Sequence, residues 1–103
     1  MTEEPLAAAK SGTHPLSRKL KICNRKGLHA RASAKFVQCV DRFDAEVEVS
    51  KDGQTVSGTS IMGLMMLAAA IGCTIEVKVS GVEAEEALSA IASLVEDRFG
   101  EDE

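Results

Sequence analysis

Two apolar periods take turns along this chain, and their order limits the fold more than any other feature. Residues 20–23 (Leu-Lys-Ile-Cys), 45–49 (Ala-Glu-Val-Glu-Val) and 74–79 (Thr-Ile-Glu-Val-Lys-Val) alternate apolar and polar side chains. Alternation of this kind turns one face of a strand to the core and the other to water. Between these segments the period lengthens. Phe36, Val37, Val40 and Phe43 share one helical face, while Lys35, Gln38 and Arg42 fall elsewhere. Residues 83–98 repeat the pattern, with Ala84, Ala87, Leu88, Ile91, Leu94 and Val95 on the apolar side. Glu83, Glu85 and Glu86 crowd the start of that helix, where its dipole favours acids.

The connections carry turn chemistry. Residues 24–28 form a turn with Gly27 supplying backbone freedom. Asp52-Gly53 marks a hairpin, so residues 54–57 return antiparallel. Thr59 or Ser60 caps a short apolar helix over residues 61–69, and Gly72 ends it. Ser80-Gly81 turns the chain into the last helix. The order is β-α-β-β-α-β-α, and helices over the apolar sheet face give a two-layer α+β sandwich. Ferredoxin-like domains share this order, so the pattern alone does not settle topology.

The 103 residues suit one domain, and 45% apolar content is enough for a core without staples. Residues 1–17 show no sustained period and are predicted to form a mobile tail, with residues 18–103 as the domain. His14 lies in that tail, solvated and idle. A net charge of −4 and the absence of Trp and Tyr exclude the basic face and stacking platform of a nucleic-acid binder. No apolar run is long enough to span a membrane, and the first residues lack a signal-peptide plan. Cys23, Cys39 and Cys73 are too few and too widely spaced for a disulfide framework or zinc site. They read as small buried or half-buried thiols of a reducing compartment, and the protein as cytoplasmic, monomeric and free of metal and cofactor.

Gly27-Leu28-His29-Ala30-Arg31 stands where the strand period gives way to the helix period. A phosphoryl acceptor needs a neutral imidazole, because a protonated ring nitrogen has no lone pair to attack with. A helix N-terminus works against the imidazolium and for an attached dianion. The amides of Ala30 and Arg31 and the guanidinium of Arg31 are therefore candidate phosphate ligands. Taken alone, Gly-x-His-x-Arg also describes an ordinary turn.

Residues 24–31, Asn-Arg-Lys-Gly-Leu-His-Ala-Arg, resemble the active-site segment of HPr, the histidine-containing phosphocarrier family of the bacterial phosphotransferase system. Residues 60–65, Ser-Ile-Met-Gly-Leu-Met, resemble that family's second signature, in the right order and with family-like spacing. The resemblance spans about residues 20–99. It implies an open-faced β-sandwich of four antiparallel strands with three helices on one face. It implies that His29 takes phosphate at Nδ1 from phospho-Enzyme I, charged by phosphoenolpyruvate, and passes it to a histidine of an enzyme IIA. The protein would then be a stoichiometric carrier, not an enzyme. Ala32 departs from the proline that usually follows the active-site arginine, which should loosen the helix start and alter transfer modestly.

Ser60 reads as a helix N-cap and, by resemblance, as a site for HPr kinase/phosphorylase. Leu64 and Leu67 fit the core, which leaves Ile61, Met62 and Met65 for an adaptable docking face. By resemblance that face meets Enzyme I, enzyme IIA and the kinase. Residues 43–47 and the acidic end, residues 99–103, resemble the nitrogen-related branch, whereas residues 60–63 resemble the sugar branch. The competing function is a regulatory module of the same fold that acts by docking. Docking alone gives no reason for an imidazole beside Arg31.

Overall fold

Leu20, Val47, Val49, Ile75, Val77 and Val79 form the buried face of one sheet, as their alternation requires. The computed structural model describes residues 15–102. Along the chain they form β1 (Leu16–Lys21), α1 (Ala30–Val40), β2 (Glu46–Lys51), β3 (Gln54–Ser57), α2 (Ile61–Met66), β4 (Thr74–Ser80) and α3 (Ala84–Glu96). The sheet order is β1-β4-β2-β3, and every neighbouring pair is antiparallel. The three helices cover one face, giving the α+β open-faced sandwich.

Register explains the core. Val47 lies opposite Val79 and Val49 opposite Val77, so inward side chains of the two central strands meet in pairs. Phe36 and Val40 from α1 and Ala87, Ile91 and Val95 from α3 close over them, and all five are buried. Val37, Phe43, Leu88 and Leu94 are only half-buried and pack around this centre.

Several boundaries differ from the sequence reading. The first strand starts at Leu16, so the division at residues 17 and 18 falls inside β1. Ser17, Arg18 and Lys19 are all exposed, which hid the strand from its alternation. As an edge strand, β1 is held by backbone pairing to β4, from Leu16–Val79 to Lys21–Thr74. Residues 1–14, with His14, lie outside the described part of the chain. The short helix stops at Met66, not at residue 69, because Ala68 turns left-handed at φ 53°. That turn buries both Leu67 and Ala69. Gly72, at φ 90°, then serves the return into β4, where its N–H donates to the Ile22 carbonyl. The last helix ends at Glu96 rather than residue 98, with consequences at the site.

Candidate functional site

The turn before α1 is pinned from both sides. Gly27 has φ 66°, and a Cβ there would lie 2.3 Å from the Ala69 carbonyl oxygen. Only glycine meets both conditions. The Leu28 N–H donates to that same Ala69 oxygen at 2.9 Å, and the buried Leu28 side chain anchors the turn. The segment that follows α2 thereby fixes where α1 begins.

His29 is the N-cap residue of α1, with extended backbone at φ −77° and ψ −177°. Its carbonyl accepts the first helical bond, from the Ser33 N–H at 2.8 Å. Its side chain makes no capping bond. By helix geometry, the Ala30, Arg31 and Ala32 N–H groups have no acceptor within the helix. The imidazole is thus released from the capping role that a serine or aspartate plays at this position. Ala32 is buried at the third helical position, where a proline would forfeit no helical hydrogen bond.

His29, Ala30 and Arg31 line one cavity of about 530 Å³ together with Arg25, Lys26, Glu101 and Asp102. The sequence-predicted acceptor, its arginine and the two helix-start amides therefore share one space, which is open to solvent and rich in cations. A dianion entering it meets guanidinium, ammonium and free amide donors.

Sequence reasoning missed the other wall. Glu101 Oε2 lies 2.5 Å from His29 Nε2, and the two side chains are 19% and 28% exposed. Glu101 Oε1 accepts from Asn24 Nδ2 at 3.1 Å, and the same amide donates to the Gly27 carbonyl at 2.8 Å. Asn24 is fully buried, and both of its N–H bonds face oxygen acceptors, which fixes the amide's orientation. Burial pushes the Glu101 carboxyl up, but hydrogen bonds from His29 and Asn24 and the charges of His29 and Lys26 outweigh it. The carboxyl is held below its ordinary range.

The chain reaches this position by a left-handed turn. Arg98, Phe99 and Gly100 take φ 56°, 54° and 76° in succession. Two of the three are not glycine, at about 1–2 kcal/mol each. Phe99 offsets this by complete burial, and Lys35 Nζ donates to its carbonyl at 2.7 Å. The sequence signal was available: an aromatic residue followed by glycine in an otherwise acidic end.

The second predicted site lies on α2. Ser60 is its N-cap, and its Oγ accepts from the Gly63 N–H at 2.9 Å. Leu64 and Leu67 face the core, while Ile61, Met62, Met65 and Met66 are 40%, 69%, 39% and 69% exposed. Met66 joins the predicted face of Ile61, Met62 and Met65. The cysteines are all free thiols, and none of them lines the cavity of His29. Cys39 is buried, which pushes its thiol up against the opposing charge of Arg42. Cys23 Sγ donates to the Val95 carbonyl at 3.2 Å. Among the described residues, no helix is long and apolar enough to cross a membrane.

A family model described as "PTS HPr component phosphorylation site" matches residues 16–97. The chain is 47% identical over 88 residues to the phosphocarrier protein HPr of Cupriavidus necator, covering 85% of this chain and 99% of that one. It is 41% identical over 86 residues to the phosphocarrier protein NPr of Shewanella violacea, covering 84% and 94%. Among solved structures, an HPr of Thermoanaerobacter tengcongensis superposes with a TM-score of 0.82 at 38% identity, over 85% of this chain and 99% of that one. By sequence, by sheet topology and by the family segment that contains His29, the chain belongs to the HPr family of phosphotransferase-system phosphocarriers.

Proposed function

We propose that His29 accepts a phosphoryl group at Nδ1 from phospho-Enzyme I and passes it to a histidine of an enzyme IIA, in the cytoplasm. One observation carries this reading: His29 occupies an N-cap without capping, beside first-turn amides that have no helical acceptor. Arg31 lines the same cavity and supplies planar donors for the phosphoryl oxygens. Transfer between two histidines needs mostly positioning and charge stabilisation, which this end of α1 provides. The test mixes the protein with Enzyme I and labelled phosphoenolpyruvate. An acid-labile, base-stable label is expected on wild type and not on His29→Ala. A label that survives the substitution rejects the assignment.

Ser60 is proposed as a regulatory phosphorylation site for an HPr kinase/phosphorylase. Its hydroxyl is half-buried at the start of α2, next to Ile61 and Met62. A phosphate there would place a dianion beside the apolar face that we propose docks Enzyme I and enzyme IIA. Equal labelling of wild type and Ser60→Ala by the kinase would remove this site.

The exposed methionines also favour a second reading, a module that regulates partners by docking alone. That reading predicts partner effects that survive His29→Ala.

A further inference from the structure

In the neutral imidazole one ring nitrogen carries the proton and the other the lone pair, and nothing in the helix start decides which. The contact from the C-terminal turn does decide. Glu101 Oε2 sits 2.5 Å from Nε2, and an ionised carboxylate can only accept. Nε2 must then be the donor, and the lone pair must lie on Nδ1.

We propose that Glu101 is a positioning residue for phosphoryl transfer, which holds His29 in the Nε2–H tautomer and stabilises the charge the ring acquires when Nδ1 is phosphorylated. This rests on His29 being the phosphoryl acceptor, and it adds how the chain selects the reacting nitrogen. Two features show that the contact is built. Asn24, fully buried, donates to the other Glu101 oxygen and so fixes the carboxylate's rotation. The backbone adopts three successive positive φ values to bring Glu101 back over the ring, with Phe99 locked into the core beneath. The order is Asn24, Glu101, His29: a buried amide orients a carboxylate, and the carboxylate orients an imidazole. The logic is that of a carboxylate-oriented histidine in hydrolases, applied to a nucleophilic ring.

The transfer balances without another proton. The Nδ1 lone pair forms the new N–P bond, and the N–P bond of the donor phosphohistidine breaks with its pair returning to the donor ring. The His29 ring passes from neutral to imidazolium-like, because Nε2 keeps its hydrogen throughout. The Glu101 carboxylate therefore faces more positive charge after transfer than before. A contact that strengthens along the reaction lowers its free energy, whereas a constant one does not. In the onward step Nε2 again keeps its hydrogen, so the ring leaves as a neutral imidazole.

The test separates tautomer from transfer. Long-range proton–nitrogen correlation spectra of the unphosphorylated protein, at a pH where the ring is neutral, read the tautomer directly. Wild type is expected to show the Nε2–H pattern and Glu101→Ala a mixture of both tautomers. Glu101→Gln keeps a carbonyl acceptor, so its tautomer is expected to hold while the charge is lost. The equilibrium of phosphoryl exchange with Enzyme I is expected to fall about tenfold in both variants, the loss of one charge-assisted hydrogen bond. A wild-type ring with its proton on Nδ1 overturns the proposal, as does an unchanged tautomer in Glu101→Ala. Unchanged exchange in both variants overturns the charge role. Failure of wild type to take label from a competent Enzyme I would reject the carrier reading instead, and the spectra would still decide whether Glu101 sets the tautomer.

Discussion

The two sites on this domain are built in opposite ways. Around His29 nearly every position is dictated: Gly27 by a carbonyl 2.3 Å from where its Cβ would be, Asn24 by two acceptors, and Glu101 by three left-handed residues behind it. Across α2 the outward positions are dictated by nothing within the chain. Ile61, Met62, Met65 and Met66 face solvent, and three of the four are unbranched thioethers that repack easily. A group that reacts must be held to fractions of an ångström, whereas a face that meets several partners in turn gains from adaptability. The Leu28–Ala69 hydrogen bond ties the segment after α2 to the turn that carries His29.

The sharpest way to break this contrast is to disturb the dictated side. Gly27→Ala combines a left-handed residue with a clash against rigid backbone. We expect about 2–4 kcal/mol of lost stability in denaturant unfolding, from strain and overpacking together. A loss below about 0.5 kcal/mol, the scale of an ordinary surface change, would mean that the turn is not locked.

The adaptable side should respond in the other currency. Met62→Glu and Met65→Glu leave the core untouched, so unfolding midpoints should hold within about 0.5 kcal/mol. Affinity for Enzyme I should fall about tenfold or more, as for a charge placed in the apolar centre of an interface. Titration calorimetry with both variants checks this. Wild-type affinity in both would take these residues out of the interface.

The contrast also explains how much the sequence discloses. Alternation and helical periodicity reveal the element order, because the sheet has one wet face and the helices one buried stripe. They fail at β1, where three exposed residues in succession mask an edge strand held by backbone pairing. His29, Arg31 and Ser60 were legible as residue types at helix starts, a local property. Glu101 was not, since its contact spans 72 residues of sequence and depends on a left-handed turn that no periodicity encodes. The exposure of Ile61, Met62 and Met65 was legible for the same reason that α2 is simple: a short helix on a two-layer domain must have an outside.

Ser60 caps α2 beside its exposed face, and its substitution probes the smaller energy of a cap. Ser60→Ala removes the acceptor for the Gly63 N–H, so we expect about 1 kcal/mol of destabilisation. Ser60→Asp keeps an acceptor and should recover most of it while adding charge beside Ile61. If Asp restores stability yet weakens Enzyme I binding, cap and docking face are separable. If it restores both, charge at Ser60 does not reach the interface.

The smallest effect expected is the pH dependence of the Glu101 contact. Its carboxyl is held below its ordinary range in the folded chain, so the native state binds its proton more weakly than the unfolded state does. The contribution is therefore fully present above the ordinary glutamate range. It is lost as pH falls through that range and then through the lowered folded value. The groups that set it are His29, Asn24 and Lys26, two of which carry positive charge when the ring is protonated. Comparing wild type with Glu101→Gln in urea from neutral pH downward isolates the carboxylate, because the amide keeps a hydrogen-bonding oxygen but cannot titrate. The stability gap should be small at neutral pH, should close on acidification, and should shrink with added salt because the pair is partly solvated. A gap that stays constant down to strongly acidic pH would assign the contact to packing rather than charge. The locked character of the His29 side would then rest on Gly27, Asn24 and Phe99 alone.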